Sequence, residues 1–308
     1  MSRYLVTGCA GFIGSHLTEA LLELGHDVVG VDSFTDYYPR DVKEANLDGM
    51  RGRPRFAFHE LDVADAAIDP LVAGTDGVFH LAAQPGVRGS WGDTFAVYVR
   101  ENILATQRVF EAAARARVRV VTASSSSVYG NAEDYPTRED AVPRPLSPYG
   151  ATKLACESLA GTYSEAFGLD VVSLRYFTVY GPRQRPDMAF SRIIAALLGG
   201  AEFHLFGSGA QSRDFTYVVD AVAATLAAMG APPGRVYNVG GGEEASLLDV
   251  VELCERLSGR RLEVEREPDA PGDVRRTAAD TQRIRSELGW APTVTLAEGL
   301  AAQLEAAR

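Results

Sequence analysis

Cysteine is scarce: Cys9, Cys156 and Cys254 are the three in 308 residues, far apart and in no CxxC or metal-ligand spacing. That excludes a disulfide framework and a cysteine-built zinc site, and it predicts a reducing, cytoplasmic setting. Histidine is sparse too. The five, His16, His26, His59, His80 and His204, stand singly, so no metal site is expected. No run of about 18 apolar residues occurs, which excludes a membrane-spanning helix. The first apolar strand begins too near the amino terminus to leave room for a signal peptide. Positive charge is outweighed, with 30 Lys and Arg against 41 Asp and Glu and a net charge of -11. Such a field repels nucleic acid and anionic lipid, so neither is an expected partner, and any phosphate site must be a local cluster of arginines. What is present is an ordinary globular composition, 46% hydrophobic and 23% charged. No internal repeat or low-complexity tract interrupts it. At this length a large domain with a smaller partner is expected.

Along the first half, short apolar runs at residues 4–7, 27–32, 56–60, 77–80 and 119–123 alternate with amphipathic helical segments such as 13–24. Alternation of this kind predicts a parallel sheet with right-handed crossovers, covered on both faces. A helix near 149–167 leads into another strand at 170–175. From 178 to 214 the repeat loosens around Pro182, Pro186, a short helix at 190–198 and the turn Gly207–Gly209. A helix at 217–229 and a strand at 236–239 return to the sheet, and helices near 247–257 and 281–288 follow. The expected division is 1–177 plus 216–239 for the first lobe and 178–215 plus 240–308 for the second. Ligands of open α/β sheets sit beyond the carboxyl ends of the strands, which places a substrate between the lobes.

Gly8, Gly11 and Gly14 form GxxGxxG directly after the first strand and at the start of a helix. Such glycines turn the chain sharply and bring backbone close to a pyrophosphate, while the helix N-terminus, with Phe12 and Ile13, offers free N–H donors. Asp32 closes the second strand 18 residues after Gly14. A carboxylate there accepts from adenosine ribose hydroxyls and repels a 2′-phosphate, which favours NAD over NADP. Asp62, with Val63 beside it, follows the third strand as an adenine contact or a helix N-cap. Leu81, Ala82 and Ala83 end the fourth strand with small residues that admit a cofactor. Asn102 falls inside a helix, where an amide is expected to face solvent. These features specify a Rossmann-type, doubly wound parallel sheet with a smaller α/β C-terminal substrate lobe.

Tyr149-Gly150-Ala151-Thr152-Lys153 sets a phenol and an ammonium four residues apart at the start of a helix, on one face. A cation beside a phenol favours the phenolate, a usable general base for an alcohol being oxidised. Ser124-Ser125-Ser126-Ser127 stands at the end of the preceding strand, where a hydroxyl meets the same substrate oxygen.

These features, in this order and spacing, resemble the extended short-chain dehydrogenase/reductase family over nearly the whole chain. The resemblance implies Ser125, counted back from Val128-Tyr129-Gly130, as the catalytic hydroxyl beside Tyr149 and Lys153, with Tyr176 at the NAD. Gln211-Ser212-Arg213-Asp214-Phe215-Thr216-Tyr217, Tyr237-Asn238-Val239-Gly240 and Pro271-Gly272-Asp273 are similar to segments of members that act on nucleotide-diphosphate sugars. It also implies a homodimer through long helices of the first lobe. Arg213 and Arg192 suit a diphosphate clamp. Dehydrating members carry Asp-Glu after the catalytic hydroxyl; Ser126 and Ser127 stand there, which argues against 4,6-dehydration. Arg175-Tyr176-Phe177-Thr178-Val179-Tyr180-Gly181-Pro182, Arg185-Pro186-Asp187-Met188, Asp36-Tyr37-Tyr38 and Gln84-Pro85-Gly86-Val87-Arg88 resemble the UDP-glucuronate 4-epimerases. That likeness implies Thr178 and Arg185 on the sugar carboxylate, with Arg88, Ser125, Ser126 and Asp273 also facing substrate. Ala270 replaces an arginine common in neutral-sugar epimerases, and Pro85 and Gly89 depart from the commonest loop. Alternatives are a UDP-glucose or UDP-N-acetylglucosamine 4-epimerase, a UDP-glucuronate decarboxylase, and a non-catalytic NAD sensor.

Overall fold

The computed structural model describes residues 1–200, 202–268 and 271–308. Ala270 lies outside them. Among the described residues, seven strands form one parallel sheet: β1 (Arg3–Thr7), β2 (Asp27–Asp32), β3 (Phe56–Glu60), β4 (Gly77–His80), β5 (Val120–Ser125), β6 (Val171–Tyr176) and, later in the chain, β10 (Val236–Val239). Their order is β10-β6-β5-β4-β1-β2-β3, so the chain reverses direction between β1 and β4. At such a switch point two loops diverge and leave a crevice for a ligand.

The strands are apolar on both faces because both are covered. Alternate residues of β1 divide between two cores: Val6 belongs to the one that contains Leu17, Leu21, Val222 and Tyr237, and Leu5 to the one that contains Val109, Phe110, Ala113 and Tyr163. The helices Phe12–Glu23 and Val218–Ala228 cover the first face, and Ala105–Ala116 and Pro148–Phe167 the second. Ile284 and Trp290 join the first core, with Trp290 Nε1 donating to the Asp220 carbonyl at 3.0 Å. Thus the segment around Gln282–Leu288 seals the first lobe although it follows the second in sequence.

The region after residue 177, which has no clean periodicity, contains short strands. β7 (Thr178–Tyr180), β9 (Ser212–Tyr217) and β11 (Glu243–Ser246) make one small sheet, and β8 (Phe203–Phe206) pairs in parallel with β12 (Val264–Glu267). A third core of Tyr180, Phe190, Ile193, Leu205, Phe215, Val250, Leu253 and Leu300 holds them against the helices Ala189–Gly199, Leu247–Ser258 and Leu296–Ala306. Both Ser246 and Thr295 start their helices with a reciprocal capping box. Among the described residues, no helix is long and apolar enough to cross a membrane.

Candidate active site

A cleft of about 410 Å³ opens at the carboxyl ends of the parallel strands, lined by the segments that follow β1, β3 and β4 and by residues of β2, β5, β6 and β7. At its floor the chain turns from β1 into the helix Phe12–Glu23 without a side-chain cap, so its first N–H groups remain free to meet an anion. The turn has no room for side chains. A Cβ on Gly14 would collide with the Gly8 carbonyl, and one on Gly8 would stand 2.8 Å from the Ala82 backbone nitrogen. This cradle suits the pyrophosphate of a dinucleotide.

Asp32 is buried beside it and accepts from the backbone N–H of Ala10 at 3.1 Å and of Phe34 at 2.9 Å. Burial raises its pKa, against the pull of those N–H groups and of Lys43. Lys43 donates to the Thr35 carbonyl at 2.8 Å and is only 5% exposed. It was not singled out from the sequence, yet a signal existed: Lys43 and Lys153 are the two lysines of the chain, and both line this cleft. Asp62 does not cap a helix. Its carboxylate accepts from the Ala64 N–H at 2.8 Å and pairs with Arg100 at 2.6 Å while lining the cleft with Val63.

Asn102 is a correction. It is fully buried and lies in a π-helical stretch, Val99–Leu104, whose wider turn rotates the amide inward. There it accepts from the Gln84 N–H at 2.7 Å and donates to the Gln84 carbonyl at 3.1 Å and to Thr152 Oγ1 at 2.9 Å. The amide thereby ties the loop after β4 to the helix that carries Tyr149.

That helix begins with Ser147 accepting from the Gly150 N–H at 3.1 Å and Pro148 in its first turn. A Cβ on Gly150 would stand 2.5 Å from the Ser127 carbonyl, so only glycine lets the helix start press against the end of β5. Tyr149 and Lys153 consequently share the cleft with Ser125 and Ser126. Lys153 Nζ donates to the Ala123 carbonyl at 2.9 Å. The Ser125 hydroxyl accepts from the Ser127 N–H at 3.1 Å, and a buried network of Ser124, Glu157 and Arg175 supports the strand end, with Arg175 donating to Glu157 at 2.7 Å and 2.9 Å.

The remaining residues divide between two places. Tyr176, Thr178 and Arg185 line the same cleft, Tyr176 with its hydroxyl 2.6 Å from Thr225 Oγ1. Arg185 donates to Asp187 through Nε and Nη2, both at 3.0 Å. Burial opposes its charge, but the Asp187 carboxylate outweighs burial and raises the pKa. Arg88, Arg192, Arg213 and Asp273 gather instead beyond Val87, itself a cleft residue. Arg88 pairs with Asp273 at 2.7 Å and stacks over Phe206 at 4.0 Å, while Arg192 lies over Phe203 at 5.3 Å. Burial lowers the pKa of Arg192 and of Arg213, and the nearby Arg88 lowers both further. Three guanidiniums against one carboxylate form a local positive cluster on an acidic protein. The singly scattered histidines hide one grouping: in-register strands β8 and β12 bring His204 to Glu265 and Glu267, with ligand atoms within 4.8 Å of one another, outside the cleft.

A glycine cradle at the switch point, a ribose-side carboxylate and a Tyr–Lys pair beside a strand-end serine define a nicotinamide-dependent enzyme of the doubly wound class. The model of the NAD dependent epimerase/dehydratase family matches residues 4–240, and the chain belongs to that family. It is 38% identical over 306 residues to a UDP-glucuronate 4-epimerase of Thermodesulfobacterium geofontis, covering 97% of this chain and 94% of that one. It is 44% identical over 302 residues to a Bacillus subtilis protein named an uncharacterized UDP-glucose epimerase, covering 97% and 95%. A crystal structure of UDP-glucuronic acid 4-epimerase from Bacillus cereus, in complex with UDP-glucuronic acid and NAD, superposes with a TM-score of 0.96 at 43% identity, covering 99% of this chain and 98% of that chain.

Proposed function

We propose that the chain inverts C4 of UDP-glucuronate to give UDP-galacturonate through a 4-keto intermediate. The observation that carries this reading is the presence of Thr178 and a buried, charged Arg185 in the cleft that holds Tyr149, Lys153 and Ser125. A hydroxyl and a guanidinium there form a carboxylate receptor that a neutral hexose does not need. The Bacillus cereus enzyme, similar along nearly its whole length, is a 4-epimerase that holds UDP-glucuronic acid and NAD.

Tyr149 removes the C4 hydroxyl proton, with Lys153 stabilising the phenolate and the Ser125 hydroxyl bonded to the same substrate oxygen. Gly8, Gly11 and Gly14 would hold NAD on the glycine cradle, where it would supply the reversible two-electron acceptor for the C4 hydrogen. Between the two steps the ketose presents its other face; Tyr149 then returns the proton, and the cycle closes with no net redox change. The 4-keto uronate is a β-keto acid and loses CO₂ when its C5–carboxylate bond lines up with the carbonyl π system. Arg185 and Thr178 hold the carboxylate out of that alignment. Arg88, Arg192 and Arg213, steadied by Asp273, take the diphosphate, and Asp32 with Asp62 and Val63 takes the adenosine end of NAD.

The assembly proposed is a homodimer. Trp91, Phe95, Val97 and Leu104 are large apolar side chains left exposed on the first lobe, of the kind that interfaces cover. A cytoplasmic setting is proposed from the three free, buried cysteines. One observation favours a second reading, a UDP-glucose 4-epimerase: Arg185 already has a carboxylate partner in Asp187.

The test is incubation of the purified holoenzyme with UDP-glucuronate, UDP-glucose and UDP-N-acetylglucosamine, with products read by NMR. UDP-galacturonate is expected as the main product, and Arg185→Ala is expected to cripple turnover of UDP-glucuronate while sparing UDP-glucose. Normal turnover of UDP-glucuronate by Arg185→Ala removes the carboxylate assignment, and preferential conversion of UDP-glucose selects the second reading.

A further inference from the structure

Two pairs in the chain share one local geometry and differ in what surrounds them. Arg138 donates to Asp140, and Arg185 to Asp187, each through Nε and Nη2 to a carboxylate two residues ahead. The first is a surface pair, its side chains 64% and 62% exposed. A pair of that kind is worth little. In the second the arginine side chain is 18% exposed, and a third group joins: the Tyr37 hydroxyl, from the loop after β2 in the other lobe, donates to Asp187 Oδ2 at 3.2 Å.

Burial and the neighbouring Asp187 push the Tyr37 phenol up to about 12, so it remains a donor throughout the working range. The Arg185 guanidinium also lies 5.8 Å from the Tyr37 ring centroid. Two of its three nitrogens are thus taken by Asp187, its plane is set by a bidentate pair, and among the described residues no protein group accepts from Nη1. Since Arg185 lines the cleft with Tyr149, Nη1 is the edge left for a ligand.

From this geometry we infer that Asp187, anchored across the cleft by Tyr37, is the positioning residue that fixes the Arg185 guanidinium and so determines whether the substrate carboxylate is held for epimerisation or lost as CO₂. The inference rests on the uronate reading given above. It also reconciles the Arg185–Asp187 pair with that reading: the pair orients the receptor rather than occupying it. In the failure it prevents, the C5–carboxylate bond breaks, CO₂ leaves, the electron pair passes into the C4 carbonyl as an enolate, and C5 takes a proton from water to give a 4-ketopentose. A guanidinium free to swing gives up the out-of-plane hold, and a misplacement of about 1 Å costs about 100-fold in a positioned reaction.

The experiment compares Asp187→Asn, Tyr37→Phe, Arg185→Ala and the surface control Asp140→Asn. For each, kcat/KM is measured for UDP-glucuronate and for UDP-glucose, together with the CO₂ released per C4 inversion. Asp187→Asn is expected to lower kcat/KM for UDP-glucuronate by about 10- to 100-fold and to raise the CO₂ fraction, leaving UDP-glucose turnover near wild type. Tyr37→Phe shifts the same ratio in the same direction by less, and Asp140→Asn leaves it unchanged. A merely structural role for Asp187 would depress both substrates together without moving the CO₂ ratio. An unchanged ratio in Asp187→Asn, with Arg185→Ala impaired, overturns the inference. Should Asp187→Asn not fold, an unchanged ratio in Tyr37→Phe does so. Unimpaired Arg185→Ala instead brings down the uronate reading itself.

Discussion

The two lobes offer different kinds of group to a ligand. The first builds the floor of the cleft from backbone: a turn where Gly8 and Gly14 leave no space for a Cβ, and the small residues Ala82 and Ala83. The second works with side chains, bringing Arg192 and Arg213 up to the Arg88–Asp273 pair that spans the lobes and setting Arg185 beside Asp187. Backbone presents the same N–H groups whatever the substrate, which suits a cofactor that stays. Charged side chains are exchangeable one at a time, which suits a half-site whose sugar differs between relatives of one fold.

That contrast breaks most sharply at Gly14. Gly14→Ala forces the added methyl against the Gly8 carbonyl, at the heart of a packed turn. A loss of about 3 kcal/mol is expected, with no NAD retained through purification, read by denaturant melts and by release of bound nucleotide. An Arg213→Ala protein, by contrast, should keep its cofactor and its fold. Removing one charge-assisted contact of about 1.5–3 kcal/mol raises KM for every UDP-sugar by about 10- to 100-fold, with kcat changed less, in steady-state assays. If KM stays put, the cluster is not the diphosphate site.

The smallest effect, about 2 kcal/mol over the window from pH 6.5 to 5, concerns the sheet itself. His80 is fully buried between Thr7 at 2.7 Å and Thr106 at 3.0 Å. Burial, with Lys153 adding repulsion, pushes it from the usual 6.5 down to about 3. The folded state thus keeps the ring neutral while the unfolded chain binds a proton below about pH 6.5. Its contribution is present above that value and is lost as pH falls towards 3, at about 1.4 kcal/mol per pH unit. His80→Gln is expected to remove that slope from urea melts taken between pH 6.5 and 5, and an identical slope in the variant excludes His80 as its source.

The same contrast governs what was legible in the residues alone. β2, β3, β4 and β10 fall where the apolar runs predicted them, because strands buried on both faces are continuous in sequence. Glu243–Ser246 and Val264–Glu267 are strands of four mostly polar residues, specified by partners far along the chain, and no local period announces them. Asn102 was misread because a π-helical turn shifts the face on which a helical amide emerges. Lys43 and Asp187 each act through neighbouring side chains, Asp32 in one case and Arg185 with Tyr37 in the other. The glycine cradle, whose roles are local, could be read directly, whereas Thr178 and Arg185 were reached only through likeness to known enzymes.

With Lys43 and Lys153 enclosed in the cleft, the outer surface owes its positive charge to arginine, and primary amines survive only at the chain's amino terminus and around the cofactor. Acyl donors that modify lysines indiscriminately on other proteins therefore find here two side-chain targets, each only 5% exposed. For this protein, acylation of a lysine side chain is expected to report local opening of the fold around the cleft.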